Sequence, residues 1–272
     1  MLDHALAHVR AHGHTEVVVN AHHLWEQVAA WAAQYGVGLQ VELPEILGTG
    51  GGLRAAIERM AEHFVIVNAD ILSDVDLTAL MAAAPEGGAA MALRPDPDFA
   101  EIGPVLRDEA GQVVRISTVV PSEDGIPGTH FTGVHAMTRA SVMRVPDDGL
   151  QCVVRTAYKE LVPQARVGSI VHRGAWVDVG TPEAYLQANL DVLHGRVAPP
   201  ADPWATGERG PGESWVGEGA ILEGEVSGSI IGAGARVPAG ASLTDCVVWD
   251  GCTAPARSLH RAVVYDDGVL EL

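Results

Sequence analysis

Short apolar, β-branched runs alternate with stretches of helical period through the first half of the chain. Leu2, Leu6 and Val9 fall on one face of a helix predicted over residues 2–12, which Gly13 ends. EVVVN at 16–20 predicts a buried strand, 24–34 a second helix, 39–43 a second strand, 53–62 a third helix after a glycine cluster, and FVIVN at 64–68 a third strand. Such alternation is the signature of βαβ units and a mostly parallel sheet. From 88 to 120, and again from 130 to 137, the runs shorten and the loops between them fill with Pro, Asp and Gly. That texture predicts an inserted, partly antiparallel layer over the sheet, where substrate loops commonly lie. Two further helices are predicted over 153–162 and 182–193. The second has Thr181 as N-cap, Pro182 at the first helical position and Glu183 near the positive end of the helix dipole.

The pattern changes after about residue 195. Residues 196–214 are dense in Pro and Gly without apolar period and predict a linker. Beyond it an aliphatic residue recurs about every sixth position, at Ile231, Val237, Leu243 and then Val247, with small residues and glycines between. A triangular β-helix requires this, since each side points one aliphatic chain inward and turns on small residues. The expected plan is a domain over 1–195, a linker over 196–214, and a short left-handed parallel β-helix of roughly two to three coils over 215–272. Cys246 and Cys252, six apart, fall on adjacent sides of such a coil, which argues against a disulfide.

The chain has 272 residues, 47% of them hydrophobic and only 19% charged, enough for one large α/β domain with an appendage. A formal charge of −18 offers no basic stripe to a phosphate backbone, so nucleic acid is not expected as a partner. Anionic small substrates would need a local cation or a metal, and Lys159 is the sole lysine. The three cysteines form neither a CxxC pair nor a secreted framework. No run approaches the roughly 18 apolar residues of a membrane span, and the first residues lack the layout of a signal peptide. A cytoplasmic protein without membrane attachment is the expectation.

Several positions suit chemistry. The cluster Leu47-Gly-Thr-Gly-Gly-Gly-Leu53 allows close backbone approach to a flat ligand and leaves N–H groups at a helix start; any βα turn can be equally glycine-rich. Asn68-Ala-Asp70 follows an apolar strand, at the edge where open α/β sheets place ligands, and a carboxylate there can hold magnesium against phosphate oxygens. Asp178 also ends a short apolar strand just before a helix, and two strand-end aspartates invite a shared metal. Asp74 and Asp76 read as solvent-facing carboxylates or caps. In Phe131-Thr-Gly-Val-His135, Thr132 offers a hydroxyl and Gly133 lets a ligand press on backbone, while His135 reads as a satisfied strand histidine. His4, His8, His12 and His14 are expected along an exposed helix face, with no carboxylate or cysteine to complete a metal site.

Taken in order, Glu45-Ile-Leu-Gly-Thr-Gly-Gly-Gly52, Val67-Asn-Ala-Asp70, Phe131-Thr-Gly-Val-His135, Cys152-Val-Val-Arg-Thr-Ala-Tyr158, Trp176-Val-Asp-Val-Gly-Thr-Pro-Glu183 and the trailing hexapeptides resemble the NDP-sugar pyrophosphorylases, in particular bacterial mannose- or heptose-1-phosphate guanylyltransferase-like proteins. The resemblance implies a Rossmann-like, GT-A-like nucleotidyltransferase with a mixed sheet. In such an enzyme a sugar phosphate oxygen attacks the α-phosphorus of a nucleoside triphosphate and pyrophosphate leaves, so that catalysis rests on alignment and charge neutralisation. By the same resemblance Asp70 and Asp178 hold Mg2+, Gly50 and Gly51 lie against the nucleotide with Glu45 and Asn68 beside it, and Thr132 and Gly133 line the sugar pocket. GTP with mannose or heptose 1-phosphate is the expected pair, ahead of uridine or thymidine nucleotides with a hexose or amino sugar.

The sequence departs from the family at its start. The family's opening strand, its Gly-x-Gly-Thr-Arg-Leu loop and its Pro-Lys-Pro segment have no match, and Ser117-Thr-Val-Val-Pro121 stands where a Glu-Lys-Pro stretch is usual. Either the true start lies upstream, the preferred explanation, or the chain is a shortened paralogue; as written, weak or no catalysis is expected. Two further classes remain open at this point. One is a nucleotide-sugar-binding regulatory or scaffolding subunit that assembles with itself or a partner through the β-helix. The other is a hexapeptide acyltransferase, for which only His260 lies in the coil region.

Overall fold

The fold was obtained as a computed structural model that describes residues 1–95, 104–116, 129–266 and 268–272. Its contacts divide the chain into two units, one of residues 1–4, 70–74 and 175–272, the other of residues 5–69 and 75–174.

The unit of residues 5–69 and 75–174 carries the α/β part. Helix α1 (Leu2–Ala11), in this unit from Ala5 onward, leads through Gly13 at φ +84° to strand β1 (Val18–Ala21), helix α2 (Trp25–Tyr35) and strand β2 (Gly38–Val41), which runs parallel to β1 with Val18 opposite Gly38. Helix α3 (Gly48–Ala56) precedes β3 (His63–Val67). The third helix therefore starts within the glycine cluster, five residues before its expected start at Leu53, because the glycines pack as its first turns.

The main sheet is organised by β8 (Thr129–Thr138). Along one edge it pairs antiparallel with β5 (Ala89–Pro95), which in turn pairs parallel with β9 (Val167–Val171). Along the other edge β3 takes residues 134–138, while β6 (Pro104–Arg107), itself paired with β7 (Val113–Ile116), takes residues 129 and 130. The expected inserted antiparallel layer is thus part of the sheet itself. In this unit only β1–β2 and β5–β9 are parallel among the described pairs, so the sheet is mixed rather than mostly parallel. Met91, Leu93, Met137, Tyr158 and Leu161 are buried in its core. The helix expected over 153–162 is a wide π turn at Val154–Tyr158 followed by Lys159–Leu161. Ser117–Pro121, the stretch in the place of the family's Glu-Lys-Pro, lies outside the described residues.

A further expectation for this unit is overturned. His8 does not line an exposed face: it is buried, with Nε2 2.8 Å from the Val75 carbonyl. Helix α4 (Leu77–Ala83), capped by Asp76, follows that carbonyl, and His12 Nδ1 lies 3.1 Å from Thr78 Oγ1.

In the other unit, β4 (Ile71–Ser73) pairs antiparallel with β10 (Trp176–Asp178). The helix Pro182–Leu193 has its expected bounds and cap, Ala184 N donating to Thr181 Oγ1 at 3.1 Å. After it, strands stack in parallel rungs on three faces. Val216, Ile231, Val248 and Val264 align on one face, Val226, Leu243 and Leu259 on a second, and Leu222 with Val237 on a third. The first face carries aliphatic pairs, Ile230-Ile231, Val247-Val248 and Val263-Val264. Ile231, Val248 and Val264 enter the interior of the stack, whereas Val247 and Val263 pack outward against Leu186 and Leu190 of the helix, with Ile230 alongside. Alternation along a strand places one member of each pair on each face. The segment expected as a linker is partly ordered, since Glu208–Arg209 pairs antiparallel with Trp215–Val216. All three cysteines are free. Among the described residues no helix is long and apolar enough to cross a membrane.

Burial in each unit sets a measurable expectation. Leu243 is fully buried between Val226 and Leu259; Leu243→Ala should destabilise its unit by about 2–5 kcal/mol, read from the shift in the urea midpoint. His135 is buried with Nδ1 2.8 Å from Tyr158 Oη, and burial lowers its pKa to about 3. The unfolded chain takes up that proton near pH 6.5, so acidification from 6.5 towards 3 favours unfolding and stability is regained as pH rises through that window. His135→Gln should flatten the dependence of Tm on pH between about 6 and 4; an unchanged slope would show that His135 does not set it.

Candidate active site

The expected metal ligands lie in one unit, on neighbouring strand ends. Asp178 closes β10 opposite Ile71, and the next rung joins Val179 N to the Asp70 carbonyl at 2.9 Å, so the two aspartates sit diagonally across one ladder. Asp178 Oδ1 accepts from Gly180 N at 2.9 Å; a Cβ on Gly180 would stand 2.9 Å from that oxygen, so glycine lets the chain turn tightly around the carboxylate into the capped helix. Both aspartates are exposed, and among the described residues neither is in an ion pair. No group of three or more His, Cys, Asp or Glu suited to a metal occurs among the described residues. Two hard oxygen donors without a third protein ligand fit magnesium, which commonly binds one or two carboxylates and completes its shell with water and phosphate. They do not fit a cage made by protein alone.

In the other unit the structure joins Asn68 to Gly133. Residues 131–133 of β8 lie between the stretch taken by β6 and the stretch taken by β3, and on the opposite edge β8 bulges, residues 132–134 facing Ala92 alone. Gly133 occupies the bulge at φ +78°, its carbonyl accepting from Asn68 N at 3.2 Å, and a Cβ there would stand 2.8 Å from Asn68 Nδ2. Thr132 is buried; its hydroxyl donates to the Ala92 carbonyl at 2.9 Å and so meets an acceptor the bulge takes out of the ladder.

The glycine cluster packs closely on the segment 149–153. Gly50 N donates to the Gln151 carbonyl at 2.8 Å and Gly51 N to the same oxygen at 3.4 Å, while Gln151 N returns a bond to the Leu47 carbonyl at 2.7 Å. A Cβ on Gly48 would approach the Gln151 carbonyl oxygen to 2.7 Å, and one on Gly50 would stand 2.9 Å from Val153 N. The N–H groups of Gly50 and Gly51, expected to be open to a ligand, are therefore engaged within the chain. Glu45 lies exposed in the loop before the cluster.

Glu42 escaped the sequence reading. It is 2% exposed, and its carboxylate accepts from Asn20 Nδ2 at 2.7 Å and from Leu47 N at 2.6 Å. A signal was present: a charged residue inside the strand expected over 39–43 needs a partner if it is buried, and Asn20 ends the strand expected over 16–20. A cavity of about 350 Å3 in the other unit, walled by Trp204, Trp215, Tyr185 and Ile230, reaches Leu72 and Val179 but none of the expected site residues.

Residues 1–161 match the family model of the MobA-like NTP transferase domain. The chain belongs to this family. It is 28% identical over 272 residues to mannose-1-phosphate guanylyltransferase of Mycobacterium tuberculosis, covering 94% of this chain and 72% of that protein. It is 30% identical over 195 residues to N-acetylmuramate alpha-1-phosphate uridylyltransferase of Neisseria meningitidis, covering 65% of this chain and 78% of that protein. The crystal structure of HddC from Yersinia pseudotuberculosis superposes with a TM-score of 0.54 at 17% identity, over 67% of this chain and 81% of that one, which supports the fold of this NTP transferase.

Gly133 carries a prediction of its own. Gly133→Ala combines a left-handed backbone with a clash against Asn68, and should lower stability by about 1–3 kcal/mol, measured by denaturant unfolding. An unaltered midpoint would mean that the bulge relaxes freely.

Proposed function

We propose that this NTP transferase is a sugar-1-phosphate nucleotidyltransferase, forming an NDP-sugar and pyrophosphate from a nucleoside triphosphate and a sugar 1-phosphate in the cytoplasm. The observation that carries the reading is the pair of exposed strand-end aspartates, Asp70 and Asp178, across one ladder. Relatives named for sugar-phosphate guanylyl and uridylyl transfer support it. Magnesium held by the two carboxylates would neutralise phosphate charge. The chain's own residues do the remainder. Asp178, fixed by the Gly180 N–H, keeps one orientation, and the loop with Glu45 and the Gly50-Gly51 turn bound the nucleotide. Gly133, with Asn68 against it, offers backbone to the sugar, and Thr132 holds that backbone in place. Alignment of an attacking phosphate oxygen with the α-phosphorus is worth more here than proton transfer, since the nucleophile is already an anion. GTP with mannose or heptose 1-phosphate is the proposed pair. Residues 1–195 form the catalytic domain, and residues 215–272 form a left-handed β-helix of hexapeptide repeats that serves assembly with itself or a partner.

Pyrophosphate release over a panel of triphosphates and sugar phosphates, with magnesium present, tests the reading. Turnover should be greatest with GTP and mannose or heptose 1-phosphate, and Asp178→Asn should reduce it by at least about 100-fold. Binding of nucleotide sugar without any turnover would replace the enzyme by the regulatory subunit.

A further inference from the structure

Glu42 has every polar atom engaged. Its N–H donates to the Ala21 carbonyl at 2.9 Å, its carbonyl lies 2.8 Å from His22 Nδ1, Oε1 accepts from Asn20 at 2.7 Å and Oε2 accepts from Leu47 N at 2.6 Å. The carboxylate thereby joins the end of β1, the end of β2 and the start of α3. Leu47 is held from both sides, its N–H by Glu42 and its carbonyl by Gln151 N at 2.7 Å. Gly52 completes the arrangement: a Cβ there would stand 2.4 Å from Glu42 Oε1 and 2.7 Å from Asn20 Nδ2, so the last glycine of the cluster makes room for this carboxylate. Between the fixed points, residues 43–46 present Leu43, Glu45 and Ile46 to solvent, Leu43 and Ile46 with more than half of their surface exposed.

An aliphatic side chain would fill the buried end of β2 without the unfavourable burial of a charge. A carboxylate is useful there for the two N–H donors it draws together, which sets the path of an otherwise exposed apolar loop. We propose that Glu42 is a positioning residue for the nucleotide site: through Asn20 and Leu47 it holds the 43–47 loop and the glycine turn in the shape that receives the nucleoside triphosphate. The inference rests on the nucleotidyltransferase reading and adds a residue outside the stretches that carry the family resemblance, the nearest of which begins at Glu45. A loop held in its bound shape loses less conformational entropy when ligand arrives, so the clamp acts on nucleotide affinity.

The experiment is titration calorimetry of the full chain with GTP and magnesium, and separately with mannose 1-phosphate and magnesium. Asn20→Asp replaces a donor with a second carboxylate 2.7 Å from Glu42, and like charges at that range cannot both stay ionised without strain on the loop. It should weaken GTP binding by about tenfold or more. Adding Glu42→Gln to it reverses the roles, since the introduced amide can donate through its Nε2 to the new carboxylate while its Oε1 keeps the Leu47 N–H. The double variant should bind GTP within about threefold of wild type. Mannose 1-phosphate affinity should be the same in all of them. The proposal is overturned if Asn20→Asp binds GTP as wild type does, if the double variant stays as weak as the single, or if mannose 1-phosphate affinity falls in step with GTP. Should Asn20→Asp not fold, Gly52→Ala displaces the carboxylate from the other side and must show the same selective loss. Failure of the wild-type chain itself to bind GTP would instead remove the nucleotidyltransferase reading, and the clamp with it.

Discussion

Strand β8 has two edges and three partners, and that arithmetic shapes the α/β unit. β5 occupies one edge, while β3 and β6 divide the other, leaving residues 131–133 facing neither of them. Backbone groups in such an interval need other partners. The Gly133 carbonyl accepts from Asn68 N, and across the other edge the Thr132 hydroxyl donates to the Ala92 carbonyl. The Phe131-Thr-Gly133 motif is therefore the place where the sheet changes partners, and its glycine is required by a left-handed backbone and by the proximity of Asn68.

The other unit solves a different problem, that of burying a surface on both sides. Its first face of stacked strands carries paired aliphatics because one member of each pair enters the stack and the other meets the helix Pro182–Leu193. The same helix starts from the turn that holds Asp178. Packing of the strand stack and orientation of a proposed metal ligand thus share one rigid element, and damage to the stack is expected to reach the carboxylate through the helix cap.

Glycines before a helix invite the idea of a phosphate cradle, yet most of the demand for them here is internal. Gly48 and Gly50 admit the 151–153 backbone and Gly52 admits the Glu42 carboxylate. The cluster is better understood as a joint where β1, β2, α3 and the segment around Gln151 meet, with any ligand resting on the loop that the joint holds. This moves weight from the N–H groups of Gly50 and Gly51 to the shape of residues 43–47.

Features of short period were legible in the sequence: the apolar runs of β1, β2 and β3, the Thr181-Pro182 helix start, the six-residue aliphatic spacing, and Asp70 and Asp178 as carboxylates at strand ends. Each depends on neighbours within a turn or a strand, where propensity and alternation act. What only the tertiary structure decided depends on pairs distant in the chain. Antiparallel β8 beside the parallel β5–β9 pair made the sheet mixed, Val75 drew His8 inward, Gln151 took the N–H groups of Gly50 and Gly51, and Asn20 with Leu47 made a buried place for Glu42. A buried polar atom must find a partner, and the identity of that partner is set by which segments the fold brings together rather than by the residues beside it in sequence.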